Sequence, residues 1–188
     1  MPSHGKVAYT AAMKPQNTTD SLLPAIRAIP RQAIVSLEDV YHQLDEDIAR
    51  RKPICVASGR CCKFETWGHR LYVSTLELAY FERITQSEQS AAHDTDAGTA
   101  ITFPLPLYAH KKVFSPGCPW QIDGLCTARA ARPLGCRIYF CDATAETWLH
   151  ERYEHYHQSI MALHKEFQIP YHYLEWRQAL ALLHRTES

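Results

Sequence analysis

The chain has 188 residues, and its 46% of apolar residues is enough to build the core of one folded domain, which excludes a wholly disordered protein. Twenty basic residues balance twenty acidic ones, which argues against general electrostatic binding to nucleic acid or to an anionic membrane. We recognise no secretory signal and no apolar run of the ~18 residues that a membrane span requires. We therefore expect a cytoplasmic protein without nucleic-acid or membrane partners.

The N-terminal part is expected to hold an irregular tail followed by one helix. Residues 1–33 carry scattered Pro, Thr, Asn and Lys without periodicity, which predicts the tail. Ser36 begins the predicted helix, with Asp39 as a weak relative of a capping box, and Pro53 ends it. The apolar residues of this helix fall on one face and are Leu37, Val40, Leu44 and Ile48.

Further along, the pattern predicts a strand, a second helix and a loop. Leu71–Val73 is typical of a short strand, and Ser74 with Glu77 forms a capping box for a helix to about Ile84. Residues 85–100 are polar and small, so we expect a flexible surface loop there.

Residues 113–141 carry four cysteines among Pro and Gly, which places those cysteines on turns. Asp123-Gly124 predicts a tight hairpin turn. Residues 143–186 are expected to form a helical hairpin interrupted at Pro170. The first helix has the apolar stripe Leu149, Tyr153, Tyr156, Ile160, Leu163 and Phe167, and the final helix has Tyr173, Trp176, Leu180 and Leu183. The fold class is therefore mainly α, in which the helices of a single domain over 34–188 clamp a cysteine-rich irregular middle with short strands.

Cysteine use is the main anomaly of the composition. Small secreted domains use cysteines as disulfide staples, usually in even number, whereas this chain has seven. In a reducing compartment, clustered cysteines more often bind metal or do redox work. We therefore take all seven as candidate metal ligands: Cys55, Cys61, Cys62, Cys118, Cys126, Cys136 and Cys141.

The cysteines form two blocks with recognisable spacing. The first block is Cys55-x2-Ser58-x2-Cys61-Cys62, and the second contains Cys118-Pro, then Cys126 in the hairpin, then Arg-Pro-x-x-Cys-Arg over 132–137. This combination resembles the YkgJ-type cysteine-cluster family, described as zinc- or iron-chelating domains, over about residues 55–141. The matching positions are Cys55, Cys61, Cys62, Cys118, Cys126, Arg132, Pro133, Cys136 and Arg137.

The resemblance implies a metal centre held by these cysteines. Ser58 stands where the family has its second cysteine, and a hydroxyl is a poor substitute for a thiolate on a soft metal. Either that position is dispensable, or a ligand is lost, or Cys141 compensates. The resemblance also implies a link to methyl transfer, because a similar motif occurs in a flagellin lysine methylase.

Two cofactors fit the cysteine pattern. Structural zinc usually takes two close pairs of cysteines, whereas adjacent Cys61 and Cys62 rarely serve one tetrahedral ion. An iron–sulfur cluster, most simply a [4Fe–4S] cluster, accounts better for the number of cysteines, because four of them would be ligands and the rest outer thiols. Zinc is the alternative cofactor. Arg132 and Arg137 are expected to be cofactor-binding, since cations near a thiolate centre offset its charge. The other basic neighbours are Arg60, Lys63 and Arg129.

Other candidates have weaker patterns. His69 and His110 could complete a site that lacks one thiolate, and Trp67 and Trp120 are expected to shield the centre from water. A helix face with Glu154-x-x-His157 has the spacing of di-iron ligands, but the chain offers no second such motif. Three hypotheses stay open: a non-enzymatic iron–sulfur protein for electron transfer, sensing or delivery, a zinc-stabilised module for an unknown protein partner, and a cluster-dependent modification enzyme.

Overall fold

The structure is a computed structural model and describes residues 18–93 and 117–183. These residues form seven α-helices and two short antiparallel sheets of two strands each. The helices are α1 (Thr18–Arg27), α2 (Arg31–Arg51), α3 (Phe64–Trp67), α4 (Thr75–His93), α5 (Leu134–Arg137), α6 (Glu146–Glu166) and α7 (Trp176–Leu183). The strands are β1 (Tyr72–Ser74), β2 (Gln121–Ile122), β3 (Leu125–Cys126) and β4 (Tyr173–Glu175). The prediction of a mainly α fold with short strands is confirmed.

The long helices build the core around α2. This helix packs against α4 on one side and α6 on the other, and it does so through the apolar face that its sequence predicts. Side chains from all three helices are completely or almost completely buried, and those with the largest volume include Leu37, Tyr41, Leu44, Leu76, Leu78 and Ile160. Helix packing therefore supplies most of the apolar burial, and the cysteine-bearing segments lie at the edge of this core.

The expected irregular tail is wrong where the structure describes it. Residues Thr18–Arg27 form α1 although Pro24 lies inside this helix. The side chains of Leu22, Leu23 and Ile26 are buried, and α1 packs against α4 and α7. Burial of this apolar face offsets the backbone hydrogen bond that proline removes. The part of the predicted tail before residue 18 lies outside the described residues.

Helix α2 begins five residues before the predicted start at Ser36, and no side chain caps it. Pro30 is the N-cap residue with φ −67° and ψ 147°, and Ala33 and Ile34 are buried in the first turn. The predicted capping box of Ser36 and Asp39 is therefore wrong. Pro30 defines the start of the helix, and the buried face extends N-terminal to Ser36.

The capping box at α4 is confirmed, whereas the predicted end of this helix is wrong. The Ser74 amide donates to Glu77 Oε2 over 2.8 Å, and the Glu77 amide donates to Ser74 Oγ over 3.3 Å. The helix continues to His93, through half of the expected loop. Thr85 and Ser87 donate their hydroxyls to carbonyls one turn back, so these polar side chains are satisfied within the helix. Residues 94–100 of that loop lie outside the described residues.

The C-terminal segment is not the expected helical hairpin. Tyr173 belongs to β4, which pairs with β1 in the register Tyr72 to Glu175 and Ser74 to Tyr173. The main partner of α6 is α2, whereas α7 packs against α1 and the strand pair. Aromatic residues favour a strand when a partner strand is present, and this partner is about a hundred residues away in sequence.

Candidate metal centre

Both cysteine blocks line one cavity of about 120 Å³. The cavity is bounded by the loop before α3, the β2–β3 hairpin, and the segment from α5 to residue 141. All seven cysteines have free thiols. Cys62 is buried, Cys55 is exposed, and the other five are half-buried. The two blocks therefore lie side by side, as expected for residues of one centre.

Backbone hydrogen bonds join the two blocks directly. The Cys118 amide donates to the Cys62 carbonyl over 2.7 Å, and the preceding amide of Gly117 donates to Glu65 Oε2 over 2.7 Å. A Cβ atom on Gly117, which has φ +90°, would lie 2.7 Å from the Cys62 carbonyl oxygen. Only glycine allows this approach of the two segments without a shift.

The predicted hairpin places Cys126 beside the first block. Asp123 and Gly124 have φ of 49° and 82°, as a two-residue turn of this type requires, and Cys126 pairs with Gln121. The Gln121 side chain then donates to the Gly59 carbonyl over 3.1 Å, so the hairpin is fixed to the loop that carries Cys61.

Glu77 positions the short helix that carries Cys136. Its buried carboxylate accepts hydrogen bonds at Oε1 from the Leu134 amide over 2.9 Å and from the Tyr41 hydroxyl over 3.2 Å. Leu134 is the first residue of α5, so one carboxylate caps α4 and holds the start of α5. Hydrogen bonds to a buried charged group are the strong ones, at roughly 1.5–3 kcal/mol each.

The rim of the cavity is closed by contacts between the two ends of the cysteine region. The Ile54 amide donates to Asp142 Oδ2 over 3.0 Å, and Ser58 Oγ lies 3.4 Å from Cys141 Sγ. Ser58 therefore lines the cavity and contacts Cys141.

Three thiols form a hydrogen-bonded row. The sulfurs of Cys61 and Cys62 are 3.8 Å apart, and the hydrogen bond from the Cys62 thiol is the main reason that the pKa of Cys61 falls to about 6. Cys62 also lowers the pKa of Cys118, with help from the Trp176 indole N–H, which donates to Cys118 Sγ over 3.5 Å. The pKa of Cys62 itself is raised, mainly by its hydrogen bond with Cys118 and next by its hydrogen bond with Cys61. Cys62 has a single thiol proton, so the row favours a thiolate at Cys61 or at Cys118, with Cys62 protonated beside it.

The remaining inner thiols respond to burial and to their neighbours. Burial raises the pKa of Cys126 and Cys136, and the negative charge of nearby thiolates raises both further. Arg132, which lines the cavity, acts in the opposite direction on both thiols. Five thiols therefore influence one another's protonation, and a bound cation or cationic cluster would favour their thiolate forms.

The predicted cofactor-binding arginines have different positions. Arg132 lines the cavity, as do Arg60 and Arg129. Arg137 does not belong to this wall, because its guanidinium is buried and bonds to Asp45 Oδ2 over 2.9 Å and to the Arg132 carbonyl over 2.8 Å. Its guanidinium also stacks 4.2 Å from the Tyr41 ring centroid. The expected cofactor contact of Arg137 is therefore corrected: it fixes the loop that carries Arg132.

Aromatic side chains form the inner wall of the cavity. Trp120 lines it as expected, and Phe81 packs edge-on against both Trp120 and Trp176. Trp67 does not line this wall: it is exposed, and the guanidinium of Arg60 lies 3.8 Å from its ring centroid. Trp176 also lines the cavity, although it lies outside both cysteine blocks and no spacing in the sequence links it to them.

A site for a single metal ion requires specific distances between the ligand sulfurs, which is a stricter condition than lining the same cavity. In a tetrahedral zinc site, Zn–S bonds of about 2.3 Å bring any two sulfurs to about 3.8 Å from each other. Cys61 and Cys62 have this separation. In residues 18–93 and 117–183, however, no group of three His, Cys, Asp or Glu side chains is arranged to hold a metal ion. The thiols thus provide a suitable donor set around one cavity, and metal binding stays a prediction.

Histidines contribute little to this cavity. His69 stacks on Tyr139 at 5.2 Å between ring centroids, and its Nε2 lies 3.5 Å from the Cys61 carbonyl oxygen, so it lies behind the thiols. On the helix face with di-iron spacing, His157 Nε2 instead lies 2.8 Å from the Tyr171 hydroxyl. His110 lies outside the described residues.

No family model, curated protein or solved structure matches this chain. Across the described parts of the chain, helices with the length and apolarity for crossing a membrane are not found. The resemblance to the cysteine-cluster family therefore depends only on the cysteine spacing and the Arg-Pro-x-x-Cys-Arg motif.

Proposed function

We propose that this protein binds an iron–sulfur cluster, most simply a [4Fe–4S] cluster, in the cysteine-lined cavity and serves in electron transfer, sensing or cluster delivery. The observation that carries the proposal is the meeting of seven cysteines from separate chain segments at one cavity. These thiols come from segments spread over almost ninety residues of sequence, and together they supply more soft ligands at this cavity than one four-cysteine centre needs.

The inner thiols are the proposed ligands. They are the five that interact electrostatically: Cys61, Cys62, Cys118, Cys126 and Cys136. Four cysteines suffice for one cluster, which leaves one inner thiol and the outer Cys55 and Cys141 for other roles. A multi-iron cluster fills a cavity between its ligands, whereas a single ion occupies the point where four thiolates meet.

The surroundings suit a charged redox centre. When bound, such a cluster accepts and donates single electrons, and its potential depends on hydrogen bonds to sulfur and on solvent exposure. The Trp176 indole N–H supplies one such hydrogen bond to Cys118, and the aromatic wall excludes water from the inner side. Arg60, Arg129 and Arg132 offset the negative charge that four thiolates bring.

Zinc is the second candidate, and the distance between the Cys61 and Cys62 sulfurs favours it. These two thiols are already at the separation of two zinc ligands. A zinc site would stabilise the cysteine-rich segments and leave the protein without a redox role, as an interaction module.

Anaerobic purification of the full chain separates these functions. The measurements are the visible absorption spectrum, iron, acid-labile sulfide and zinc per chain. We expect brown protein with iron and sulfide in equal amounts, close to four of each per chain for a [4Fe–4S] cluster. Colourless protein with stoichiometric zinc would replace the proposal by the zinc module, and colourless protein without metal would reject both.

A further inference from the structure

A second cavity shares a wall with the cysteine-lined one. It has a volume of about 320 Å³, and Cys61, Cys136 and Tyr139 line both cavities. The rest of its wall is formed by His69, Arg70, Leu71, Tyr72, Gly135, Tyr153 and Tyr173. We name it the tyrosine cleft. It is open to solvent through partly exposed rings, since Tyr72, Tyr139 and Tyr173 are exposed by 37%, 37% and 41%.

The rings of the tyrosine cleft are held in fixed stacks. Tyr72 and Tyr173 stack across the β1–β4 pair at 5.3 Å between ring centroids, and the Tyr173 and Tyr153 hydroxyls are 2.5 Å apart. Tyr139 stacks on His69. Large aromatic surfaces of this kind are rigid and bind a planar ring at little entropic cost.

The tyrosine cleft also has polar groups that lack partners within the described residues. Arg70 is exposed and forms no ion pair there, although its guanidinium is always charged. The Nδ1 atom of His69 is buried without a hydrogen-bond partner. This atom is closed off from solvent and belongs to the wall of the cleft, so Arg70 is the polar group that a ligand in the cleft can reach.

From this combination we propose that the tyrosine cleft binds a small planar aromatic carboxylate of about the size of benzoate. The tyrosine rings contact the ring of the ligand, and the Arg70 guanidinium pairs with its carboxylate. An aliphatic acid uses the cation but not the ring surfaces, and an aromatic cation is repelled by Arg70. Because Cys61 and Cys136 belong to both walls, the bound ring lies directly beside the thiols. The proposal goes beyond the metal-binding function and does not require bound metal.

Saturation-transfer NMR on the full-length protein as purified tests this site, with benzoate as the probe. Cyclohexanecarboxylate, which has the same charge without the aromatic ring, and benzylamine, which has the ring with the opposite charge, are the comparison ligands. We expect benzoate to bind at least several-fold more tightly than either. Absence of saturation transfer to benzoate, or equal binding of cyclohexanecarboxylate, would overturn the proposal.

Variants assign the binding to the tyrosine cleft. Arg70→Gln should weaken benzoate binding about tenfold or more, because it removes a charged hydrogen-bond partner. Tyr139→Ala should weaken it by a few-fold. Arg31→Gln makes the same chemical change on an exposed residue outside the tyrosine cleft and should leave the affinity unchanged. If Arg70→Gln and Arg31→Gln behave alike, benzoate binds elsewhere and the proposal is wrong. Metal content of the same samples reports separately on the proposed function.

Discussion

The hydroxyl oxygen of Ser58 lies 3.4 Å from the sulfur of Cys141, at the rim of the cysteine-lined cavity. Ser58 lies within the first cysteine block, three residues from both Cys55 and Cys61, and Cys141 follows the Arg-Pro-x-x-Cys-Arg motif of the second block. The two residues together therefore present one hydroxyl and one thiol at this rim.

Restoring the second thiol tests whether this rim faces the metal centre. Ser58→Cys should raise the iron content per chain, or lengthen the half-life of the visible absorption in air, because thiolate is a far better ligand for iron than a hydroxyl. Ser58→Ala is the matched control, since it removes the hydroxyl without adding a ligand, and it should change neither quantity. An unchanged Ser58→Cys protein would show that the rim does not take part in binding.

The seven cysteines should contribute unequally to the centre. Alanine at Cys61, Cys62 or Cys136 should abolish the visible absorption of anaerobically prepared protein, because these thiols belong to the electrostatically coupled inner group. Alanine at Cys55 should be tolerated better, because Cys55 is exposed. Cys141 should also be more forgiving, unless it replaces the ligand that Ser58 cannot provide. Iron and sulfide per chain are the measurements, and equal losses for all variants would contradict the division into inner and outer thiols.

Local patterns in the sequence predicted local structure well. The turn at Asp123-Gly124 and the capping box of Ser74 and Glu77 depend only on neighbouring residues, and both are present in the structure. The pairing of Tyr173 with Ser74 was missed because strand pairing across about a hundred residues leaves no signal in either segment. The helix at Thr18–Arg27 was not predicted because residues 1–33 show no periodicity, whereas burial of Leu22, Leu23 and Ile26 decides the outcome.

At the candidate metal centre, the sequence predicted the cysteines better than it predicted the residues that hold them in place. The convergence of the two blocks follows from their residue type and spacing, and the structure brings both to one cavity. Trp176 and Glu77 reach the site from distant elements, and their residue types are equally common in ordinary cores. Arg137 was expected at the cofactor, but its carbonyl and carboxylate partners hold it in a bracing role behind the cavity.

Glu77 should be a point where stability and metal binding are linked. In Glu77→Gln the shape is kept, but the amide group replaces one acceptor oxygen by a donor that faces a backbone N–H. We expect a loss of about 2–3 kcal/mol in the free energy of unfolding, as for a buried donor that loses a charged partner. Urea denaturation measures it, and Glu46→Gln on the exposed side of α2 is the control, with a change within about 0.5 kcal/mol. Iron content should fall with Glu77→Gln, because α5 carries Cys136.

Metal removal should loosen the cysteine-rich segments before the helices. These segments have exposed apolar residues, such as Val56 and Leu125, and are held mainly by single hydrogen bonds between loops. The helices α2 and α6, by contrast, bury a continuous apolar face. Without metal, the inner thiols either repel one another as thiolates or take up protons, and in both cases the ordering contribution of the bound metal is lost.

Hydrogen exchange with and without a chelator measures this difference residue by residue. The Cys118 amide, which donates to the Cys62 carbonyl, is the reporter for contact between the two blocks. We expect its protection to fall by at least tenfold when metal is removed, whereas amides in the middle of α2 and α6 keep theirs, because local opening needs only the segments that the metal joins. Unchanged protection at Cys118 in protein shown to be free of metal would mean that the cavity is ordered by its hydrogen bonds alone, and that any bound metal has no structural role.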